Sequence, residues 1–167
     1  MKTIAKTRSR ARAVALQALY QFDVQRRAAS GASGASGGRR DLESFIEESD
    51  DDEGVTVYAR RLLAGTLDAL ETIDASIARV VANWTMERIA PVDRCILRLA
   101  LFELLEMPDV PPKVAINEAI ELAKKYSTEQ SGAFVNGILD RIHQELKEKS
   151  TDDTSSATDK RQEGTVC

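Results

Sequence analysis

The sequence predicts an all-α protein, a compact bundle of about six or seven helices in two helical subdomains that meet near residues 72–91. Two observations carry this expectation. Apolar residues recur at helical spacing through most of the 167 residues, and no stretch alternates with the period of two that a strand requires. The segment Pro91–Met107 is apolar nearly all round: Val92, Cys95, Ile96, Leu97, Leu99, Ala100, Leu101, Phe102, Leu104 and Leu105 point in every direction when wound as a helix. Such a helix is buried. It is too short and too charged to span a membrane, so it predicts the central helix of a soluble bundle.

The other elements follow in chain order. Residues 8 to about 27 form a helix whose stripe is Ala11, Val14, Ala15, Ala18, Leu19 and Phe22, with Arg8 and Arg12 flanking it and Arg10, Gln17 and Tyr20 well away from its centre. Residues 29–38 have linker chemistry. Leu42, Phe45 and Ile46 predict a short amphipathic turn, and the acidic run Glu47–Glu53 a solvated loop. Val55–Leu70 predicts a helix burying Val55, Tyr58, Ala59, Leu62, Thr66, Ala69 and Leu70, with Arg60, Arg61 and Asp68 outward. A further helix covers Ile73–Val81. Asn83–Ala90 is a connection in which Trp84 is expected to anchor the junction.

Pro91 suits the first position of the central helix, and Pro108 stops it. Pro108, Pro111 and Pro112 predict a stiff turn into an amphipathic helix, Lys113–Tyr126, that buries Ala115, Ile116, Ala119, Leu122, Ala123 and Tyr126. Glu121 and Lys125 are spaced for an ion pair on its wet side. Ser127–Ser131 caps a last helix to about Glu148, with Val135, Ile138, Leu139, Ile142 and Leu146 as its stripe. Residues 1–149 therefore read as one helical domain carrying an insertion at 29–54. Residues 150–167 read as a disordered polar tail.

Catalytic chemistry is poorly represented. His143, the one histidine, lies on the polar side of the last helix, and no His/Cys cluster has metal-ligand spacing. No glycine-rich phosphate loop follows a strand. Glu103, inside the central helix, predicts a structural salt bridge to an arginine. Cys95 and Cys167 do not suggest a designed disulfide, and no apolar leader precedes the first helix, so the expected location is the cytoplasm. No cofactor is implied.

Charge is unevenly spread. The net charge is −4, yet Lys2, Lys6, Arg8, Arg10 and Arg12 all precede the first acid, Asp23, while Asp41–Glu53 holds eight acids and no base. Cations neutralise phosphates and aromatic faces stack on unpaired bases, so Lys6, Arg8, Arg10 and Arg12 with Gln17 and Tyr20 are candidates for single-stranded RNA or DNA. A solubilising arm is the competing reading.

Three segments, ARAVALQALYQFD, APVDRCILRLALFELLEMPDVPPKVAINEAIELAKKYS and FVNGILDRI, closely resemble the NusB family of bacterial transcription antitermination factors. The resemblance covers the first helix and nearly all of residues 55–147. It implies a non-enzymatic RNA-binding adaptor of two helical subdomains. Such an adaptor pairs with the ribosomal small-subunit protein NusE, binds the single-stranded boxA element of ribosomal RNA operons, and acts on RNA polymerase with other Nus factors. By position it adds Gln130 and Phe134 to the RNA-contacting candidates and makes Asp93 a candidate partner contact. Phe134 is equally readable as core edge. Ser9 interrupts a cluster that is more continuously basic in the family. A homodimer of the free protein stays open. Two other readings remain: a helical domain of an RNA cytosine methyltransferase, which would need a Rossmann-type domain outside these 167 residues, and an adaptor that binds protein alone.

Overall fold

The computed structural model describes residues 2–29, 38–81 and 85–158. Among them the chain forms seven α-helices and no strand: α1 (Lys2–Ala29), α2 (Gly38–Ser49), α3 (Glu53–Asp68), α4 (Leu70–Val80), α5 (Pro91–Glu106), α6 (Pro112–Tyr126) and α7 (Glu129–Thr158), with a 3-10 turn at Met86–Arg88 before α5. Most of the linker, and Trp84, lie outside the described residues.

Helix α5 packs against α1, α3, α4, α6 and α7, while α1, α2 and α3 group on one side and α6 and α7 pair on the other. Every residue from Asp93 to Phe102, and Glu103 after it, is buried, as a helix apolar nearly all round requires. Pro91 stands at its first turn, and the chain leaves the helix at Met107, whose N–H still donates to the Glu103 carbonyl. The core that α5 organises takes Ala11, Ala15 and Leu19 from α1, Leu62 from α3, Ile77 from α4, Ala119 from α6 and Leu139 from α7.

Four expectations need correction. Residues 38–49 form a full helix, because Leu42 and Ile46, four apart and both buried, dock it on the core, and Asp41 in its first turn suits the helix dipole. The acidic run is not simply a solvated loop. Asp52 caps α3 by accepting from the Gly54 N–H at 2.9 Å, Glu47 pairs with Arg60 at 2.7 Å, and Asp50 is taken up by α1. On α6, Glu121 meets Lys124 at 3.5 Å rather than Lys125, which lies over the Tyr126 ring at 5.1 Å from its centroid. Helix α7 runs on to Thr158, past Glu148 and into the region read as a tail, since no proline or glycine interrupts residues 138–158.

The start of α7 is capped as its serine and threonine predict: the Ser131 N–H donates to Thr128 Oγ1 at 3.1 Å. Ser131 Oγ donates in turn to Asp93 Oδ2 at 2.9 Å, tying the beginning of α7 to the first turn of α5.

Candidate nucleic-acid interface

Three arginines spaced two apart on α1 look equivalent in sequence, but each step of two turns a helix by roughly 200°. The fold sends them to three environments. Arg10 is half-exposed and donates to both carboxylate oxygens of Asp50, Oδ1 at 2.6 Å, with Asp52 Oδ2 at 3.7 Å. Arg8 is partly exposed. Its guanidinium lies 5.1 Å from the Tyr58 ring centroid, a cation–π distance, and reaches Asp109 at 3.1 Å.

Arg12 is only 3% exposed. Its Nε is 3.0 Å from both Glu103 oxygens, and its guanidinium is within 5.6 Å of the Tyr58 centroid and 3.6 Å of Glu118. Tyr58 closes the group by donating its hydroxyl to Glu103 Oε1 at 2.5 Å. Burial by itself would lower the Arg12 pKa; the hydrogen bonds and charge of Glu103 outweigh it and hold the pKa above its ordinary value. Burial, and then the bond to Glu103, push the Tyr58 phenol up. The arginine partner expected for Glu103 is therefore Arg12. That corrects the reading of Arg12 as a phosphate contact: its guanidinium is enclosed by the Glu103 carboxylate and the Tyr58 ring, and the residue is almost wholly buried.

The exposed face of α1 is a different set. Lys6, Arg10, Gln17 and Tyr20 follow one another at spacings of four, seven and three, so they form a single row along the helix. Lys6 and Arg10 line a groove of about 430 Å³ between α1 and α6, together with Ser9, Asp50, Glu118, Lys125 and Tyr126. Gln17 and Tyr20 line a neighbouring groove of about 400 Å³ with Phe45, Val92 and Tyr126. Tyr126 belongs to both, so the two grooves join into one track. Tyr20, 40% exposed, presents an open ring on it. Acids are interleaved with the cations. Ser9 Oγ donates to Glu118 Oε1 at 2.8 Å, and Asp50 holds Arg10.

Sequence reasoning brought Lys6, Arg10, Gln17 and Tyr20 together, and the fold places them on this track. It missed Lys125 and Tyr126, which arrive from α6 and were expected as the ion-pair partner of Glu121 and as core. Gln130 is exposed and Phe134 half-buried against the core at the start of α7, and neither lines the two grooves. Asp93 is buried and its Oδ2 accepts from Ser131, so its carboxylate links α5 to α7. Among the described residues no group of three or more His, Cys, Asp or Glu could hold a metal ion, and no helix is long and apolar enough to cross a membrane.

A second polar cluster underlies the first. Asp23 is buried and accepts from Arg94 and from Arg98, the latter at 2.8 Å, while Arg98 also grips Asp74 through Nε at 2.7 Å and Nη2 at 2.8 Å. Arg94 Nη1 donates to the carbonyls of Met86 and Ile89, each at 3.0 Å, fixing the turn ahead of α5. Burial would raise the Asp23 pKa, but the two arginines outweigh it and hold the carboxyl below its ordinary value. Burial, and then the Asp23 charge, push the nearby Cys95 thiol up to about 12, which leaves it an unreactive core residue.

The family model described as "NusB family" matches residues 9–144. The chain belongs to the NusB family. A transcription antitermination protein NusB of Anaeromyxobacter dehalogenans is 50% identical over 136 residues, 81% of this chain and 89% of that protein. T. maritima NusB is 42% identical with a TM-score of 0.69, covering 83% of this chain and 91% of that one. A crystal structure of the antitermination factors NusB and NusE in complex with dsRNA contains a chain 27% identical with a TM-score of 0.69, over 83% of this chain and 97% of that one. NusB proteins are antitermination factors and not enzymes, which sets aside the methyltransferase reading.

Proposed function

We propose that this chain is an RNA-binding adaptor that binds the single-stranded boxA element of ribosomal RNA operons along α1, as one half of a heterodimer with ribosomal protein NusE. The observation that carries this reading is the row Lys6, Arg10, Gln17 and Tyr20 on the exposed face of α1, set beside Lys125 and Tyr126 of α6 in a NusB-family chain. Cations there meet phosphates, and an open tyrosine ring can stack only on a base that is not already stacked in a duplex. The related complex that contains NusB, NusE and dsRNA supports both the partner and the ligand class, while the open ring of Tyr20 favours an unpaired strand.

Acids on the track keep this surface weak alone. The partner lengthens the contact, so that affinity becomes a property of the pair. The complex then acts in the cytoplasm on the transcribing RNA polymerase with other Nus factors. Gln130 and Phe134 extend the RNA contact from α7, and Arg8 adds charge at the edge. A free protein that buries its α1 track in a homodimer would release it when the partner binds.

Titration of boxA RNA with the full chain, with and without NusE, tests this function. Binding should be weak for the chain alone and strengthen sharply with NusE, and single-stranded RNA should be preferred over duplex. Tyr20→Ala should weaken binding by about 1–3 kcal/mol. Tight binding that NusE leaves unchanged would remove the shared-track mechanism. Failure to bind any RNA in the pair would leave the protein-only adaptor.

A further inference from the structure

One cation of the row on α1 is already occupied from within the chain. Arg10, central to that row, donates to both oxygens of Asp50, and Asp52 Oδ2 stands 3.7 Å from the same guanidinium. Asp50 is not a loose surface acid that happens to be near. Its Oδ1 also accepts the Asp52 N–H at 3.0 Å, its side chain is 11% exposed, and Asp52 is itself fixed as the cap of α3. The α2–α3 connection therefore holds the Asp50 carboxylate in place against Arg10, with that of Asp52 beside it. Asp51, between them, is exposed.

We infer that Asp50 is a built-in competitor for the nucleic-acid phosphate, an acidic latch that occupies Arg10 until RNA displaces it. The inference rests on the reading of the α1 track as an RNA site. A carboxylate holding a guanidinium by two oxygens offers the same kind of charge and the same paired geometry as a phosphate. RNA binding at Arg10 therefore breaks one ion pair for each that it makes. The released Asp50 takes up a cation from solution, so this contact returns little of the counterion entropy that drives association with a polyanion. The latch raises the threshold for RNA that contacts this chain alone. It matters less once a partner supplies further contacts.

The test compares Asp50→Asn with Asp51→Asn, two neighbouring changes of equal charge, in the full chain. In Asp50→Asn the side-chain amide keeps an oxygen for the Asp52 N–H, and Asp52 still caps α3, so both variants should melt with the wild type. Each is titrated with single-stranded boxA RNA, with and without NusE, over a range of salt, and eluted from heparin as a sequence-independent polyanion. Asp50→Asn should bind RNA about two- to fivefold tighter than Asp51→Asn, the scale of one exposed ion pair, and steepen the salt slope by about 0.7. It should also elute from heparin at higher salt. In an Arg10→Ala background the gain from Asp50→Asn should vanish. Equal behaviour of the two variants overturns the latch. Weaker binding by Asp50→Asn overturns it as well, because Asp50 would then be holding Arg10 in position for RNA. If the wild type with NusE binds no RNA, the function proposed above fails, while the heparin comparison still decides whether Asp50 masks Arg10.

Discussion

Arg12 and Glu103 face each other in the core with Nε of the arginine 3.0 Å from both carboxylate oxygens, and this pair fastens the N-terminal helix to the central one. A buried ion pair adds little over a well-packed apolar pair, but removing one partner strands the other charge away from water. The polar contacts of Arg12 thus serve α1 as structure, whereas Arg10, two residues earlier, serves its surface.

Arg12→Ala should therefore destabilise the fold by about 3–5 kcal/mol, and Arg10→Ala by no more than about 1 kcal/mol, measured by urea denaturation. Replacing both members of the pair, Arg12→Met with Glu103→Leu, should recover most of the loss. Replacing Arg8, Arg10 and Arg12 together would confuse RNA contact with unfolding, so the arm is better probed by Arg10→Ala alone. An Arg12→Ala protein as stable as wild type would show that the arginine is not held by Glu103 in solution.

Asp23 ties stability to pH. Its folded pKa is depressed below the ordinary 3.8 by Arg94 and Arg98 acting against burial. A depressed carboxylate stabilises the fold fully above its unfolded pKa and loses that contribution as pH falls through the folded one. The wild type should keep its melting temperature down to about pH 4 and fall below that. Asp23→Asn should be less stable at pH 7, by about 3–5 kcal/mol, because two buried guanidinium groups lose their shared counter-charge. Its acid limb should be flatter than that of the wild type. Melting curves between neutral and acid pH measure both, and parallel limbs would exclude Asp23 as a source of the pH dependence.

The parts of this molecule that were legible in sequence are those where one residue type has one physical outcome. Pro91–Met107 could only be a buried helix, and Glu103 inside it needed a cation. The amphipathic face of α1 left Gln17 and Tyr20 outside. What the sequence could not show is which cation Glu103 would take. Arg8, Arg10 and Arg12 share a composition, and only packing of α1 against α3 and α5 turns one inward. The burial of Asp93 was hidden for the same reason. An acid in the first turn of a helix is usually wet, and Ser131, which keeps it inside, lies 38 residues away. Asp50 looked like solvated charge because nothing in its neighbourhood along the chain reveals that the α2–α3 connection folds against Arg10.

The spacing of α3 and α5, which sets Tyr58 against the arginines, depends on Gly65. A Cβ at that position would lie 2.0 Å from Cζ of the Phe102 ring. Alanine is worth roughly 1 kcal/mol more than glycine inside a helix, but forcing extra volume into a packed core costs about 1–3 kcal/mol or more, and a ring edge this close to a methyl group puts the site at the upper end. Gly65→Ala should therefore destabilise by about 1–2 kcal/mol net. Phe102→Leu, which removes the obstructing ring edge, should be destabilising alone yet make Gly65→Ala harmless or favourable in the double variant. The two changes should couple by about 0.5–3 kcal/mol in urea denaturation. Additive effects would mean that helix α3 shifts to make room, and the tyrosine would then move away from Arg8 and Arg12 together with it.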